Sequence, residues 1–213
     1  MEMEKLAFLD EKIIDSILGK VREEEHLGIV SFSELFGLLD RREGHLIKKF
    51  LKLNPGDFGF KGKFIGMRPA PKNLIFVDGQ FLSESVFSAF WGMKESLYLD
   101  IGKRLKIFSG YRSPAYQMIV FLRCLKANAF DLWRTMRGVA FPGYSEHGDP
   151  INLAIDLCAA DGDSPAVGPK NFEKTREYKW LMQNANKYGF YLSYPEDNED
   201  GVMFEPWHWR FNG

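Results

Sequence analysis

Residues 143–157 read GYSEHGDPINLAIDL, a loop dense in turn-forming residues that runs into an apolar strand. The loop carries His147 and the strand carries a lone acid, Asp156. A carboxylate in an apolar strand is costly to bury unless it is paired or holds a metal. This stretch therefore requires a partner from elsewhere in the chain.

The histidines narrow the search to one place. There are four, His26, His45, His147 and His208. His26 and His45 lie among charged residues in a helical region and read as ordinary surface side chains. His208 lies in EPWHWRFNG, residues 205–213, three positions after Glu205. Two imidazoles and one carboxylate, from His147, Asp156 and His208, leave an open fourth position on a tetrahedral zinc, the arrangement of a catalytic rather than a structural site. A water in that position would have a pKa near ~7, and Glu205 could then move its proton. The bland alternatives remain open at this point. A Glu-x-x-His pair is common, and His147 with Asp156 could be no more than a buried ion pair. Arg112, in SGYRSPAYQ between a strand and a helix, offers a planar fork suited to a carboxylate, or an ordinary structural ion pair.

Around these residues the pattern is mixed. Leu6, Leu9, Ile13, Ile14, Ile17, Leu18 and Val21 recur at helical spacing and predict a helix over about Glu4 to Glu25. A second helical stretch opens at Ser31 and Glu34, which have capping-box spacing, and runs with interruptions to Leu53 before the turn NPGDFG. Residues 1–60 are thus expected to be a helical appendage and 61–213 the main domain. In the latter, LIFV (74–77), LKIF (105–108), INLAIDL (151–157), FYLSY (190–194) and VMFEPWHWRF (202–211) read as strands. Helices are expected over SESVFSAFWGMKESLYL, from Ser113-Pro114 to about Lys126, and over FEKTREYKWLMQNANKYG. This order indicates an α+β fold.

Composition sets outer bounds. The 213 residues are enough for one ordinary domain or a main domain with a small extra piece. With 28 Lys and Arg against 29 acidic residues, the net charge of -1 gives no general attraction to nucleic acid or anionic lipid. Two cysteines, Cys124 and Cys158, are too few for a disulfide framework and read as reduced and structural. No segment approaches the ~18 uninterrupted apolar residues of a membrane span. The N-terminus, MEMEKLAFLDEKIIDS, lacks the basic start and apolar run of a signal peptide. A cytoplasmic location is expected of the sequence as written, with action on the cell wall only through export, lysis or a signal removed from the chain.

Taken in order, SGYRSPAYQ, PGYSEH with AIDL, KWLMQNANKYGFYLSYP and EPWHWRF resemble the VanY-type zinc D-alanyl-D-alanine carboxypeptidases, part of the lysostaphin, D-Ala-D-Ala-peptidase and hedgehog-like metallopeptidase group. The resemblance covers roughly Leu74 to Gly213. It implies a small antiparallel sheet flanked by helices, with the N-terminal helical appendage added. It implies Zn2+ held by His147, Asp156 and His208, with Glu205 as catalytic base. Arg112 would hold the substrate's terminal carboxylate or polarise the scissile carbonyl, and Ser145 and Gln117 would contact the peptide. Trp207 and Trp209, on alternating sides of His208, are expected to fix its orientation.

One departure stands out. The family places six residues, one of them glycine, between this His and Asp, whereas here eight intervene and Asn152 stands at the glycine position. Asp149-Pro150 reads as a two-residue loop insertion that leaves Asp156 aligned, with Asp149 as the rival third ligand. The loop CAADGDSPAVGPKNF is expected to shape specificity or serve as a flap. The implied reaction is hydrolysis of peptidoglycan stem peptides or muropeptides at a terminal D-amino acid, with D,D or L,D specificity. A phage-type endolysin endopeptidase and a non-catalytic zinc-binding module are the alternatives.

Overall fold

The computed structural model describes residues 8–21, 27–160 and 171–213. His26 and most of the expected flap loop lie outside the described residues, as do the two ends of the first expected helix. In chain order the elements are α1 (Glu11–Lys20), α2 (Phe32–Leu38), α3 (Arg41–Phe50), β1 (Ile75–Val77), β2 (Gln80–Leu82), α4 (Glu84–Ile101), β3 (Leu105–Ser109), α5 (Pro114–Ala127), α6 (Leu132–Gly138), β4 (Ala154–Ala159), α7 (Arg176–Asn184), β5 (Phe190–Leu192) and β6 (His208–Phe211). Among the described residues, no helix is long and apolar enough to cross a membrane.

The chain divides into two compact units, Met1–Pro69 with Ser113–Ser145, and Ala70–Arg112 with Glu146–Gly213. The first is helical. Asp10 caps α1 by accepting from the Lys12 and Ile13 amides. The capping box expected at Ser31 and Glu34 is formed, and a second one, Asp40 with Glu43, divides the single stretch read from the sequence into α2 and α3. Ile14 and Ile17 of α1, Ile47 and Phe50 of α3, and Met118, Ile119, Phe121 and Leu122 of α5 are fully buried in one core. Each such side chain contributes about 1.5–3 kcal/mol. Ser113 and Pro114 open α5 as cap and first turn.

The second unit carries a four-stranded antiparallel sheet in the order β3-β4-β6-β5, beside a β1-β2 hairpin. The hairpin was not expected from the sequence, although its signal was there. Asp78 and Gly79 both have positive φ, 51° and 81°, as the two central residues of a tight hairpin turn require. α6 was also not foreseen. Four expected strands are shorter than read from the sequence, β1 and β5 by one and two residues and β4 and β6 at their starts. β4 starts at Ala154 rather than Ile151, because the Asp149 carboxylate binds the Ile151 and Asn152 amides in a turn. β6 starts only at His208, since Glu205 N donates to Tyr194 O and His208 N to Glu205 O in a turn before it. The helix expected over 172–189 is interrupted where Thr175 caps α7, with short 3-10 turns before and after.

One polar group in the helical core tests its energetics. Glu43 is buried, accepting from Lys20 Nζ at 2.6 Å, Ser16 Oγ at 2.7 Å and the Asp40 amide. Burial alone would raise its pKa, but these donors outweigh it and hold the carboxyl below its ordinary 4.5. A depressed folded-state pKa contributes stability above about pH 4.5 that is lost as pH falls through the lower folded value. Glu43→Gln is expected to lose about 1–3 kcal/mol at neutral pH and to show a flatter dependence of stability on pH below 5. Urea unfolding of both proteins across pH 3–7 checks this, and parallel pH profiles would contradict it.

Candidate metal centre

Strand pairing assembles the centre within the second unit. β4 lies against β6 in a register that sets Asp156 opposite His208, and opposed residues on antiparallel strands bring their side chains to one face. On its other edge β4 pairs with β3, with Ser109 opposite Asp156 after a register shift. β3 therefore ends beside the acid, and the loop that follows it, Gly110 to Arg112, runs along the site. Gly110 is required there, because a Cβ at this position would stand 2.5 Å from Phe81 O of the hairpin. Gln80 Oε1 accepts from Gly110 N at 3.0 Å, and Tyr111 N donates to Phe81 O at 2.7 Å. The unforeseen hairpin thus anchors this loop.

His147 follows from that loop. It lies on a short 3-10 turn, Glu146–Gly148, and its backbone carbonyl accepts from Arg112 N at 2.9 Å. Its ring is buried, and Nδ1 lies 2.8 Å from Gly110 O. A carbonyl can only accept, so Nδ1 carries the proton and Nε2 is left with its lone pair. That Nε2 is buried without a hydrogen-bond partner, although it lies 3.2 Å from Asp156 Oδ2. Burial, followed by the nearby Arg112 charge, pushes the ring's pKa down to about 4, so it stays neutral. A neutral imidazole with a fixed tautomer and an orphaned buried lone pair is what a metal ligand requires.

Asp156 sits between the two imidazoles. Oδ1 is 3.0 Å from His208 Nδ1, while Oδ2 faces His147 Nε2 and lies 3.4 Å from Arg112 Nη2. Burial would raise its pKa, but its two imidazole neighbours, His147 and the hydrogen-bonded His208, prevail and hold it well below the ordinary carboxylate range. For His208, burial opposes the charged form, but hydrogen bonds to Asp156 and to Glu146 Oε2, 3.0 Å from Nε2, push the pKa up to about 10. One donor atom from each of His147, Asp156 and His208 lies within 4.8 Å of the others, and all three residues are buried. Two imidazoles and a carboxylate suit zinc.

Glu205 stands beside this cluster, with Oε2 3.9 Å from His208 Nδ1. Burial, together with the Asp156 and Glu146 charges, pushes its carboxyl up to about 7, against the pull of His208 and Arg112. A carboxyl poised there can take and return a proton at neutral pH. Tyr194 lays its ring 5.0 Å from that of His208. Trp209 is buried next to His208, donating from Nε1 to Pro206 O at 3.0 Å, whereas Trp207 is partly exposed.

Asp149 is taken up by Arg210, whose Nη2 donates to Oδ2 at 2.8 Å, so the rival ligand belongs to the loop and not to the three-residue cluster. Ser145 and Gln117 belong to the helical unit, where both are buried and the Gln117 amide donates to Ala140 O at 2.7 Å. Sequence reasoning passed over Glu146, which faces Nε2 of His208, and Ser193 and Arg210, which donate to the Glu146 carboxylate. For Glu146 a signal existed, since it is an acid directly beside His147 in the same turn.

Comparison with known proteins fits this geometry. Residues 80–213 match the family described as VanY: D-alanyl-D-alanine carboxypeptidase. The bifunctional D-Ala-D-Ala dipeptidase and D-Ala-D-Ala carboxypeptidase VanXYC of Enterococcus gallinarum is 35% identical over 113 residues, 52% of this chain and 57% of the relative. The chain spans about half the length of the curated relatives it matches. Among solved structures, the D,D-dipeptidase VanXYg in complex with a D-Ala-D-Ala phosphinate analogue aligns with a TM-score of 0.58 at 27% identity, over 72% of this chain and 61% of the other. The D,D-pentapeptidase VanY from a VanB-type resistance cassette, in complex with Zn(II), aligns with a TM-score of 0.53 at 25% identity, over 66% and 78%.

The two aspartates separate the ligand assignments. Asp156→Ala is expected to lose zinc affinity by more than the ~10–100-fold that follows loss of an outer partner, while Asp149→Ala retains a measurable site. Competition with a chromophoric chelator measures both. Tight zinc binding by Asp156→Ala, with none by Asp149→Ala, would reverse the assignment.

Proposed function

This chain belongs to the VanY D-alanyl-D-alanine carboxypeptidase family, and on that premise we propose that it is a zinc-dependent carboxypeptidase releasing the terminal D-alanine of peptidoglycan stem peptides. The observation that carries the proposal is the buried His147, Asp156 and His208 cluster with the Glu205 carboxyl beside it. Relatives support the substrate class, one being named for action on D-Ala-D-Ala and another binding a D-Ala-D-Ala phosphinate analogue. The division into a helical segment, 1–60, and a peptidase domain, 61–213, is carried forward with it. So is peptide contact by Ser145 and Gln117.

In this proposal His147 Nε2, an Asp156 carboxylate oxygen and His208 Nδ1 hold the zinc. When bound, zinc supplies Lewis-acid chemistry, acidifying water and polarising a peptide carbonyl. The work of the protein's own groups follows from their surroundings. Gly110 O fixes the His147 tautomer, so the ring presents an unprotonated Nε2 at neutral pH. Glu205, held near neutrality by burial, accepts a proton from the attacking water at its carboxylate and returns it to the departing amine. Arg112, with its side chain 15% exposed at the edge of the cluster, offers a fixed positive charge to the substrate's terminal carboxylate or to the carbonyl oxygen as it becomes negative. A partly exposed arginine beside a buried carboxyl of raised pKa matches what removal of a C-terminal residue demands.

Glu205→Gln is expected to keep its fold and its zinc while hydrolysis falls by about 10²–10⁴. The zinc-loaded protein and this variant would be incubated with mixed tetra- and pentapeptide muropeptides and the products read by mass spectrometry. Loss of one alanine from the pentapeptide alone is the expected result. Loss from the tetrapeptide would replace D,D with L,D specificity, internal cuts would replace carboxypeptidase with endopeptidase, and a folded, zinc-bound protein inert on both would overturn the proposal.

A further inference from the structure

We infer that Glu146 is a positioning residue for the metal ligand His208, and that the Asp149-Pro150 loop holds Glu146 in place through Arg210. This rests on the zinc peptidase reading and names what keeps one of its ligands in a competent state. An imidazole presents two nitrogens, and a metal site can use one only if the other is committed. For His147 that commitment comes from Gly110 O. His208 has no backbone carbonyl at Nε2. There, Glu146 Oε2 stands 3.0 Å away, so that Nε2 donates to the carboxylate and Nδ1 is the nitrogen turned to Asp156, 3.0 Å from its Oδ1.

The Glu146 carboxylate is itself fixed at both oxygens. Ser193 Oγ donates to Oε2 at 2.6 Å and Arg210 Nη1 to Oε1 at 2.9 Å. Arg210 lies two residues after His208 on β6, and a strand's period of two sets both side chains on one face. Its guanidinium then reaches into the extra loop, where Nη2 donates to Asp149 Oδ2 at 2.8 Å and Nε to Asn152 O at 3.2 Å. The other oxygen of Asp149 closes the loop on the Ile151 and Asn152 amides. Asp149, one of the two residues by which this chain departs from its family spacing, therefore forms one end of a chain of hydrogen bonds, Asp149 to Arg210 to Glu146 to His208. A strap that merely tied β6 to the loop would need only the Arg210 to Asp149 pair. Contact of Glu146 with the ligand ring is the feature such a strap leaves unexplained.

The test reads metal binding as well as hydrolysis. Zinc affinity by chelator competition, and the visible absorption of the Co(II)-substituted protein, would be measured for the wild type, Glu146→Ala, Glu146→Gln, Arg210→Met and the double variant Glu146→Ala/Arg210→Met. Glu146→Ala is expected to weaken zinc by about 10–100-fold and to shift the Co(II) bands. Glu146→Gln should lose less, since an amide oxygen can still accept from Nε2. Arg210→Met should weaken zinc in the wild-type background and add nothing once Glu146 is absent. Metal-free circular dichroism melts separate these effects from unfolding. Wild-type affinity and an unchanged Co(II) spectrum in a folded Glu146→Ala protein would overturn the inference. An equal cost of Arg210→Met in both backgrounds would remove the loop's part in it. Failure of the wild type itself to bind zinc would overturn the zinc peptidase reading, so the two failures are told apart.

Discussion

The burial of one carboxylate organises the second unit. Asp156 lies in β4, a strand whose every residue is buried, and a charge in that setting must be surrounded by donors or a metal to be tolerated. The sheet meets this demand from both sides. β6 brings His208 directly opposite, and the loop after β3 brings Arg112 and, through Gly110, the ring of His147. The β1-β2 hairpin, the absence of a side chain at residue 110 and the turn before β6 all serve to bring these groups within reach of one acid.

Burial also gives neighbouring groups different properties. Within one small region a carboxyl is kept strongly acidic, another is raised to about 7, and one imidazole is lowered to about 4 while the other is raised to about 10. The difference lies in partners rather than in depth. Asp156 has two imidazoles in contact, while Glu205 stands 3.9 Å from one of them with other carboxylates nearby. Separation of titration ranges between adjacent groups is how a site obtains one group to hold charge and another to move protons.

The residues of the candidate centre were legible because their types are rare and their settings anomalous. An acid in LAIDL, a histidine in a turn and a histidine between two tryptophans each break the local pattern around them, and Asp156, His147 and His208 do meet in one cluster. Elements with complete local signals were legible as well, such as the Ser113-Pro114 start of α5 and the capping box of α2. Boundaries that depend on a distant partner were not. β6 gives up the apolar residues 202–204 because a turn tied to Tyr194 intervenes, and α5 and α6 join a core with helices some seventy or more residues earlier in the sequence, which no local periodicity announces.

The sequence by itself determined which side chains are candidates for a metal-binding cluster and which of them lie on an apolar strand, because residue type and period-2 or helical patterning are local properties. Only the tertiary structure decided which nitrogen of each histidine faces the cluster, that Asp149 serves the loop rather than the centre, and that Glu146 stands behind His208. Those outcomes depend on hydrogen-bond partners 37 to 64 positions away in the chain. Distances of that kind are set by strand register and loop packing, which a linear pattern does not contain.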